Sequence, residues 1–129
     1  QDDGRIVICY FSAGTYEGWR SDWAQFFPGG TSTMPLAGDM KEWDESWLDV
    51  RQIDAIKPIM TSRMNLAKAK GCDAVEPDNM DAYANADETG GVLSYSDQLA
   101  YNRWIADAAH AVDLPVALKN DLDQFEDLV

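Results

Sequence analysis

The sequence is short of positive charge. Its 129 residues carry 10 Lys and Arg against 23 Asp and Glu, a formal net charge of -13. A surface of that sign repels polyanions, which excludes nucleic acid as a partner and leaves neutral or cationic ones. No stretch approaches the roughly 18 to 20 consecutive apolar residues that cross a bilayer, so no membrane partner is expected. One His and two widely separated Cys offer no zinc cluster. Asn85, Asp87, Thr89 and Gly90 resemble part of a calcium loop, but Asn stands at the first ligand position and Ser96 where a bidentate Glu is required. No metal and no cofactor is expected. A Gly-rich phosphate loop, a Ser-His-Asp spacing, an N-x-Ser/Thr glycosylation site and any short repeat are also lacking. The chain opens on Gln1 with no basic and apolar leader, and it reads as a processed product or an excised piece.

Cysteine is scarce too. Cys9 and Cys72 lie at or beside apolar segments and read as buried free thiols in preference to a disulfide, since free Cys packs as a small hydrophobe and one pair defines no framework.

What the chain does have is 46% hydrophobic residues, enough for one globular core, and five Trp with five Tyr. Most of these aromatics are expected to pack in the core, while any beside carboxylates suit the faces of sugars. Residues 6–11 form a continuous apolar run bounded by Gly4 and Gly14, the pattern of a strand buried on both faces. Residues 15–39 read as a short helix and a loop that includes Phe27 and Pro28-Gly29-Gly30. A second strand is read at residues 47–51, and a helix follows in which Ile53, Ile56, Ile59, Met60, Met64 and Ala67 recur at helical spacing. Pro58 is expected in its first turns and Gly71 as its stop.

The third strand, residues 72–78, runs into Glu76, Asp78, Asn79 and, three residues on, Asp81. Side chains two apart on a strand point to one face, so Glu76 and Asp78 are expected to share a pocket. An acidic loop leads to a helix with Ser94 as N-cap, Asp97 completing a capping box, and an apolar face of Tyr101, Trp104, Ile105, Ala108 and Val112. A fourth strand, residues 114–118, ends in Lys119-Asn120-Asp121, and Leu122, Phe125 and Leu128 begin another helix.

Strands alternating with helices imply an α/β fold with a parallel sheet and helices outside. Each strand turns polar at its C-terminal end: Tyr10 and Ser12, Asp49 and Arg51, Glu76 and Asp78, Lys119 and Asn120. In parallel α/β folds that edge is where ligands bind, which makes these residues the candidate site. Each of these residues also suits a purely structural role. Pro77-Asp78-Asn79 suits a turn, Glu76 suits a buried pair with Lys119, Asp49 and Arg51 suit an internal ion pair, and Tyr10 suits the core. Glu17, Trp19, Arg20 and Tyr83 are loop residues assigned to the same mouth, whereas His110, late in a helix, reads as a surface residue.

The segments Ile8-Cys9-Tyr10-Phe11-Ser12-Ala13-Gly14, Trp47-Leu48-Asp49-Val50-Arg51, Gly71-Cys72-Asp73-Ala74-Val75-Glu76-Pro77-Asp78-Asn79 and Leu118-Lys119-Asn120-Asp121 together resemble the endo-alpha-1,4-polygalactosaminidase family of glycoside hydrolases. Glu17 to Arg20, Asp97 to Leu99, Asn102 and Ala109-His110 resemble it in the right order as well. The resemblance implies a (β/α)8 TIM barrel, a fold that takes about 250 residues. On that reading residues 1–129 are one catalytic-domain fragment, a partial barrel of about four parallel βα units corresponding to units three to six. It also implies secretion and an endo-acting glycosidase cleaving alpha-1,4-linked, galactosamine-containing polysaccharide.

Glycosidases use two carboxyl groups, about 5 to 5.5 Å apart in retaining enzymes and about 6.5 to 9.5 Å in inverting ones. The resemblance assigns Asp78 as nucleophile or stabilising charge, with Glu76 as a supporting acid, and puts the general acid in a barrel strand outside this chain. Tyr10, Asp49, Arg51, Asn79, Asp81, Lys119 and Asn120 are the expected substrate contacts. The alternative is a noncatalytic carbohydrate-binding or assembly unit, a half barrel whose unpaired edges self-associate or are completed by other barrel segments.

Overall fold

The computed structural model describes residues 3–26 and 35–129. The expected feature at Phe27 and Pro28-Gly29-Gly30 lies outside the described residues. β1 (Ile8–Ser12) and β5 (Ala74–Asp78) pair in parallel, with Ile8 opposite Ala74 and Ser12 opposite Asp78. A third lane lies on the other side of β5. Val75 N–H donates to the Pro115 carbonyl at 3.0 Å and its carbonyl accepts from Ala117 N–H at 2.9 Å, a parallel bridge between Val75 and Val116. β5 is therefore the central lane, and Val75 is completely buried.

Helices make the crossovers. α1 (Ile53–Ala69) lies in sequence between β1 and β5, and α3 (Tyr95–His110) between β5 and the third lane. α1 buries Ile56, Ile59, Met60, Met64 and Ala67, the stripe its spacing dictates, and each large side chain so buried contributes about 1.5–3 kcal/mol. Gly71 stops it at φ +82°. Gly71 N–H returns to the Lys68 carbonyl and Cys72 N–H to the Ala67 carbonyl, so the two orphan carbonyls are satisfied as the chain turns directly into β5. α3 begins with the expected Ser94–Asp97 capping box. It buries Tyr101, Ile105 and Ala109, and also Gln98 and Asn102, two polar residues on the same face. A short α2 (Ala86–Thr89), a terminal α4 (Phe125–Leu128) and three single 3-10 turns, Trp23–Phe26, Ala82–Ala84 and Leu122–Gln124, are the other helical pieces described.

Four expectations change. Residues 15–39, read as a short helix and a loop, hold the helical turn Trp23–Phe26 but also carry strands at both ends, β2 (Thr15–Tyr16) and β3 (Leu36–Asp39). The stretch at residues 47–51 does not supply a parallel lane. β4 (Ser46–Leu48) pairs antiparallel with β2 (Thr15–Tyr16) and with β3 (Leu36–Asp39), forming a small sheet beside the C-terminal end of β1, where Leu48 N–H reaches the Gly14 carbonyl at 2.9 Å. The strand ends at Leu48 because Asp49 turns inward and closes the entry to α1. The first strand is not buried on both faces. Ile6, just before it, is 77% exposed, and within it burial alternates: Ile8 at 51% and Tyr10 at 48% lie on a face that no described element covers, while Cys9 and Phe11 on the other face are partly buried. The α/β class with parallel lanes and covering helices holds, as an open fragment and not a closed barrel.

The fourth change is at sulfur. Cys9 and Cys72 form a disulfide across β1 and β5, with a Cα–Cα separation of 5.9 Å. Parallel lanes lie about 4.8 Å apart, so residues distant in sequence come within bridging range at the start of neighbouring strands.

Candidate active site

The three lanes deliver their C-terminal ends to one edge. There Asp78 accepts from the Tyr10 hydroxyl at 2.8 Å on Oδ2, and from Asn79 N–H at 2.8 Å and Asn120 Nδ2 at 3.2 Å on Oδ1. Each donor comes from a different piece of the fold: β1, the turn after β5, and the turn after the third lane. Asn79 and Asn120 both sit at φ near +60°, the left-handed region that Asn tolerates, and that bend is what brings them onto the carboxylate. A carboxylate has about four lone-pair positions. Oδ1 is occupied by two donors and Oδ2 by one, which leaves one position of Oδ2 open.

The turn after β5 is fixed from behind. Asn79 Nδ2 donates to Ser12 Oγ at 2.9 Å and Thr15 Oγ1 at 3.3 Å, so its side chain ties β5 to β1 and faces away from Asp78. A Cβ on Gly14 would stand 1.6 Å from the Asn79 carbonyl oxygen, so only Gly admits that turn. The second turn is tied by α3. Asn102 Nδ2 donates to the Met80 carbonyl at 2.9 Å and to Asp121 Oδ2 at 2.7 Å, holding the residue after Asn120. Burial pushes the Asp121 carboxyl up to about 6.

Glu76 lies one register step further in, opposite Tyr10, and pairs with Lys119 at 3.5 Å. The same Lys119 ammonium lies 5.3 Å from the centre of the Tyr10 ring, a cation–π contact. Glu76, Lys119, Tyr10 and Asp78 thus form one continuous polar chain. Burial first, and then the bond to Asp78, hold the Tyr10 phenol well above its usual range, so it remains a donor. Replacing Tyr10 by Phe keeps the ring under Lys119 and removes one donor from Asp78. A hydrogen bond to a charged group contributes about 1.5–3 kcal/mol, so steady-state kinetics of Tyr10→Phe should show kcat lowered roughly ten- to hundredfold. An unchanged kcat would separate Tyr10 from the chemistry.

Asp78 faces a cavity of about 580 Å³. Tyr10, Lys119 and Asn120 line it from the lanes, and Glu17, Trp19, Trp43 and Glu45 from the β2–β4 side. Glu17 is 3% exposed and is held by Arg20 through two contacts of 3.2 Å. Trp19 and Trp43 are 59% and 66% exposed, broad apolar faces open to solvent. Asp81 does not reach this cavity. It lines a neighbouring one of about 440 Å³ with Asn79, Asn120 and Glu88, and burial raises its carboxyl. Asp49 and Arg51 are not brought to the site either: Asp49 Oδ1 and Oδ2 each accept from the Arg51 guanidinium at 2.9 Å, so the pair closes on itself at the start of α1. Tyr83 stacks edge-on with Tyr95, away from the cavity lining, and His110 ends α3 on the surface. Among the described residues no group of His, Cys, Asp and Glu could hold a metal ion.

Sequence reasoning passed over Trp43 and Glu45. Both sit in the connection between β3 and β4, closed by Met40 N–H donating to the Glu45 carbonyl at 3.0 Å. No motif marks them; the available signal was a Trp set between acids in a short link. Burial, a hydrogen bond with Glu17 and the charges of Glu17 and Asp78 push the Glu45 carboxyl up to about 7 from 4.5. A carboxyl raised by folding gives stability that is complete below its ordinary value and is lost as pH rises through the folded value. Relative to Glu45→Gln, the wild-type thermal midpoint should therefore fall between about pH 4.5 and about pH 7. A rise across that window in pH-dependent thermal melts would contradict the raised carboxyl.

The profile of "Glycoside-hydrolase family GH114" matches residues 1–129. The solved structure of Ega3 from Aspergillus fumigatus, in complex with galactosamine, is 39% identical with a TM-score of 0.86 and covers 98% of this chain but 47% of its own. The glycoside hydrolase domain of PelA from Pseudomonas aeruginosa is 14% identical with a TM-score of 0.64, covering 98% of this chain and 48% of its own, a likeness of fold alone. No curated protein matches. The chain spans about half the length of the solved structures it resembles.

Proposed function

Because this chain belongs to glycoside-hydrolase family GH114, we propose that it carries the Asp78 half of the catalytic centre of a glycosidase acting on an alpha-1,4-linked, galactosamine-containing polysaccharide. The observation that carries the reading is Asp78 itself: a carboxylate oriented by three donors, with one lone pair of Oδ2 open to an aromatic-walled cavity. An oxocarbenium-like transition state develops positive charge at the anomeric carbon, and a preorganised carboxylate beside it either attacks that carbon or stabilises it. Tyr10, Asn79 and Asn120 hold Asp78 for either role, and Glu76 acts through Lys119 and Tyr10 as a positioning residue. Tyr10, Lys119 and Asn120 are also the lane residues that contact substrate, and Trp19 and Trp43 supply faces on which sugar rings stack.

The general acid is assigned to barrel strands outside this chain, in keeping with its span of 47% of Ega3. Residues 1–129 on this reading are βα units three to six of a single catalytic domain. Secretion follows from the polymeric substrate, which is too large to be taken up whole. The exposed apolar side chains of Ile6 and Ile8 at β1, and of Leu122 and Phe125 beside α4, support completion by other barrel segments over a free-standing unit.

The test is direct. The full-length protein carrying this chain, incubated with alpha-1,4-galactosamine polymer, should release a ladder of short oligomers detected by mass spectrometry. Binding of the polymer without any shortening would favour a carbohydrate-binding unit.

A further inference from the structure

Glu45 lines the Asp78 cavity and, among the described residues, makes no ion pair of its own. Asp78 receives three donors, Glu17 is held by Arg20, and Lys119 is paired with Glu76. Glu45 also lines a second cavity of about 500 Å³, which shares Trp19 and Trp43 with the first. Glu45 and the two exposed indoles line both cavities, so a chain of sugars lying across both would pass it. We propose that Glu45 determines specificity by receiving the ammonium group of a deacetylated amino sugar, with Trp19 and Trp43 as the walls of that position. The inference rests on the glycosidase reading and names the chemistry by which the same site would tell an amine from an amide.

An ammonium group in this position makes a charge-assisted hydrogen bond to the carboxylate and a cation–π contact with an indole. An N-acetyl group is neutral, fills neither role, and adds bulk beside the carboxyl. The groups facing Glu45 are Glu17 and Arg20 from the loop after β2, Asp78 at the end of β5, and Asp39 and Asp44 along the second cavity. Tyr10 and Lys119 face it across the first cavity. In the free protein Glu45 and Glu17 share a hydrogen bond, with Glu45 raised to about 7. An entering ammonium supplies the positive charge that makes the ionised form favourable. The Glu45 proton then leaves to the buffer, and no covalent bond changes.

Calorimetric titration of the full-length protein with an alpha-1,4-galactosamine tetramer, near pH 6.5 in two buffers of different ionisation enthalpy, reads that proton. Wild type should release a substantial fraction of one proton and bind the tetramer at least about tenfold more tightly than its N-acetylated counterpart. Glu45→Gln should lose the release and bring the two ligands within about threefold, with affinity for the N-acetylated tetramer unchanged. Glu45→Asp, which keeps the charge, should retain both release and preference, a rescue that a merely structural role would not produce. Release and preference surviving in Glu45→Gln would overturn the assignment, as would an equal loss for both tetramers. If wild type bound neither tetramer the inference would fall, and the polymer-shortening assay would show whether the glycosidase reading falls with it.

Discussion

Asp78→Asn should lower kcat/KM for hydrolysis of galactosamine polymer by at least about 10³-fold, with the thermal midpoint unchanged. The substitution is nearly isosteric and keeps the surroundings satisfied. With its amide oxygen in the place of Oδ1, the new side chain still accepts from Asn79 N–H and Asn120, and its NH2 meets the Tyr10 hydroxyl, which can turn to accept. What disappears is the charge and the open lone pair, the two properties the proposed chemistry uses. Initial rates from reducing-end release and a melting curve on the same preparation separate catalysis from folding. A parental rate would show that Asp78 is a turn residue and that the carboxylate of the reaction lies elsewhere.

The second large effect is expected at the disulfide. Cys9 and Cys72 close a loop with a sequence separation of 63, and constraining a loop of that length in the unfolded chain is worth about 4 kcal/mol on the chain-entropy account. For a domain that holds about 5–15 kcal/mol in all, this is a large share. Guanidinium denaturation of the Cys9→Ala, Cys72→Ala double variant should show the midpoint lowered and the slope steepened, because the unfolded chain without the cross-link exposes more surface. The consequence reaches the site. β1 has one described strand neighbour, β5, and carries Tyr10 directly after Cys9. Loosening that pairing lets the Tyr10 donor leave Asp78, so activity should fail at a lower temperature than in the wild type. A stability change below about 1 kcal/mol would mean that β1 is held by its hydrogen bonds and packing alone.

Much of this was legible along the chain, and for local reasons. The stripe Ile56, Ile59, Met60, Met64 and Ala67, the stop at Gly71 and the Ser94–Asp97 cap depend on neighbours within four residues or so, where helical geometry decides which side chains meet. The apolar run into Glu76 and Asp78 marked a strand ending in acids for the same reason, with a period of two in place of 3.6. The polar ends of the parallel lanes pointed to one edge, because parallel lanes have a common direction.

What only the tertiary structure decided involves partners far apart in sequence. Residues 47–51 read as another parallel lane because a short apolar segment does not announce the direction of its neighbour; pairing with β2 and β3 made it antiparallel, and Asp49 closed on Arg51 instead of facing the site. The Cys9–Cys72 bridge, the convergence of Tyr10, Asn79 and Asn120 on Asp78, and the arrival of Glu45 beside Glu17 all join residues that share no local pattern. Sequence alone determined the two long helices, the strands that become β1 and β5, and that Asp78 ends the second of these. Three-dimensional pairing decided which donors reach it and which carboxyl stands across the cavity, because a hydrogen bond or a raised carboxyl depends on what lies within a few ångströms and not on what lies next along the chain.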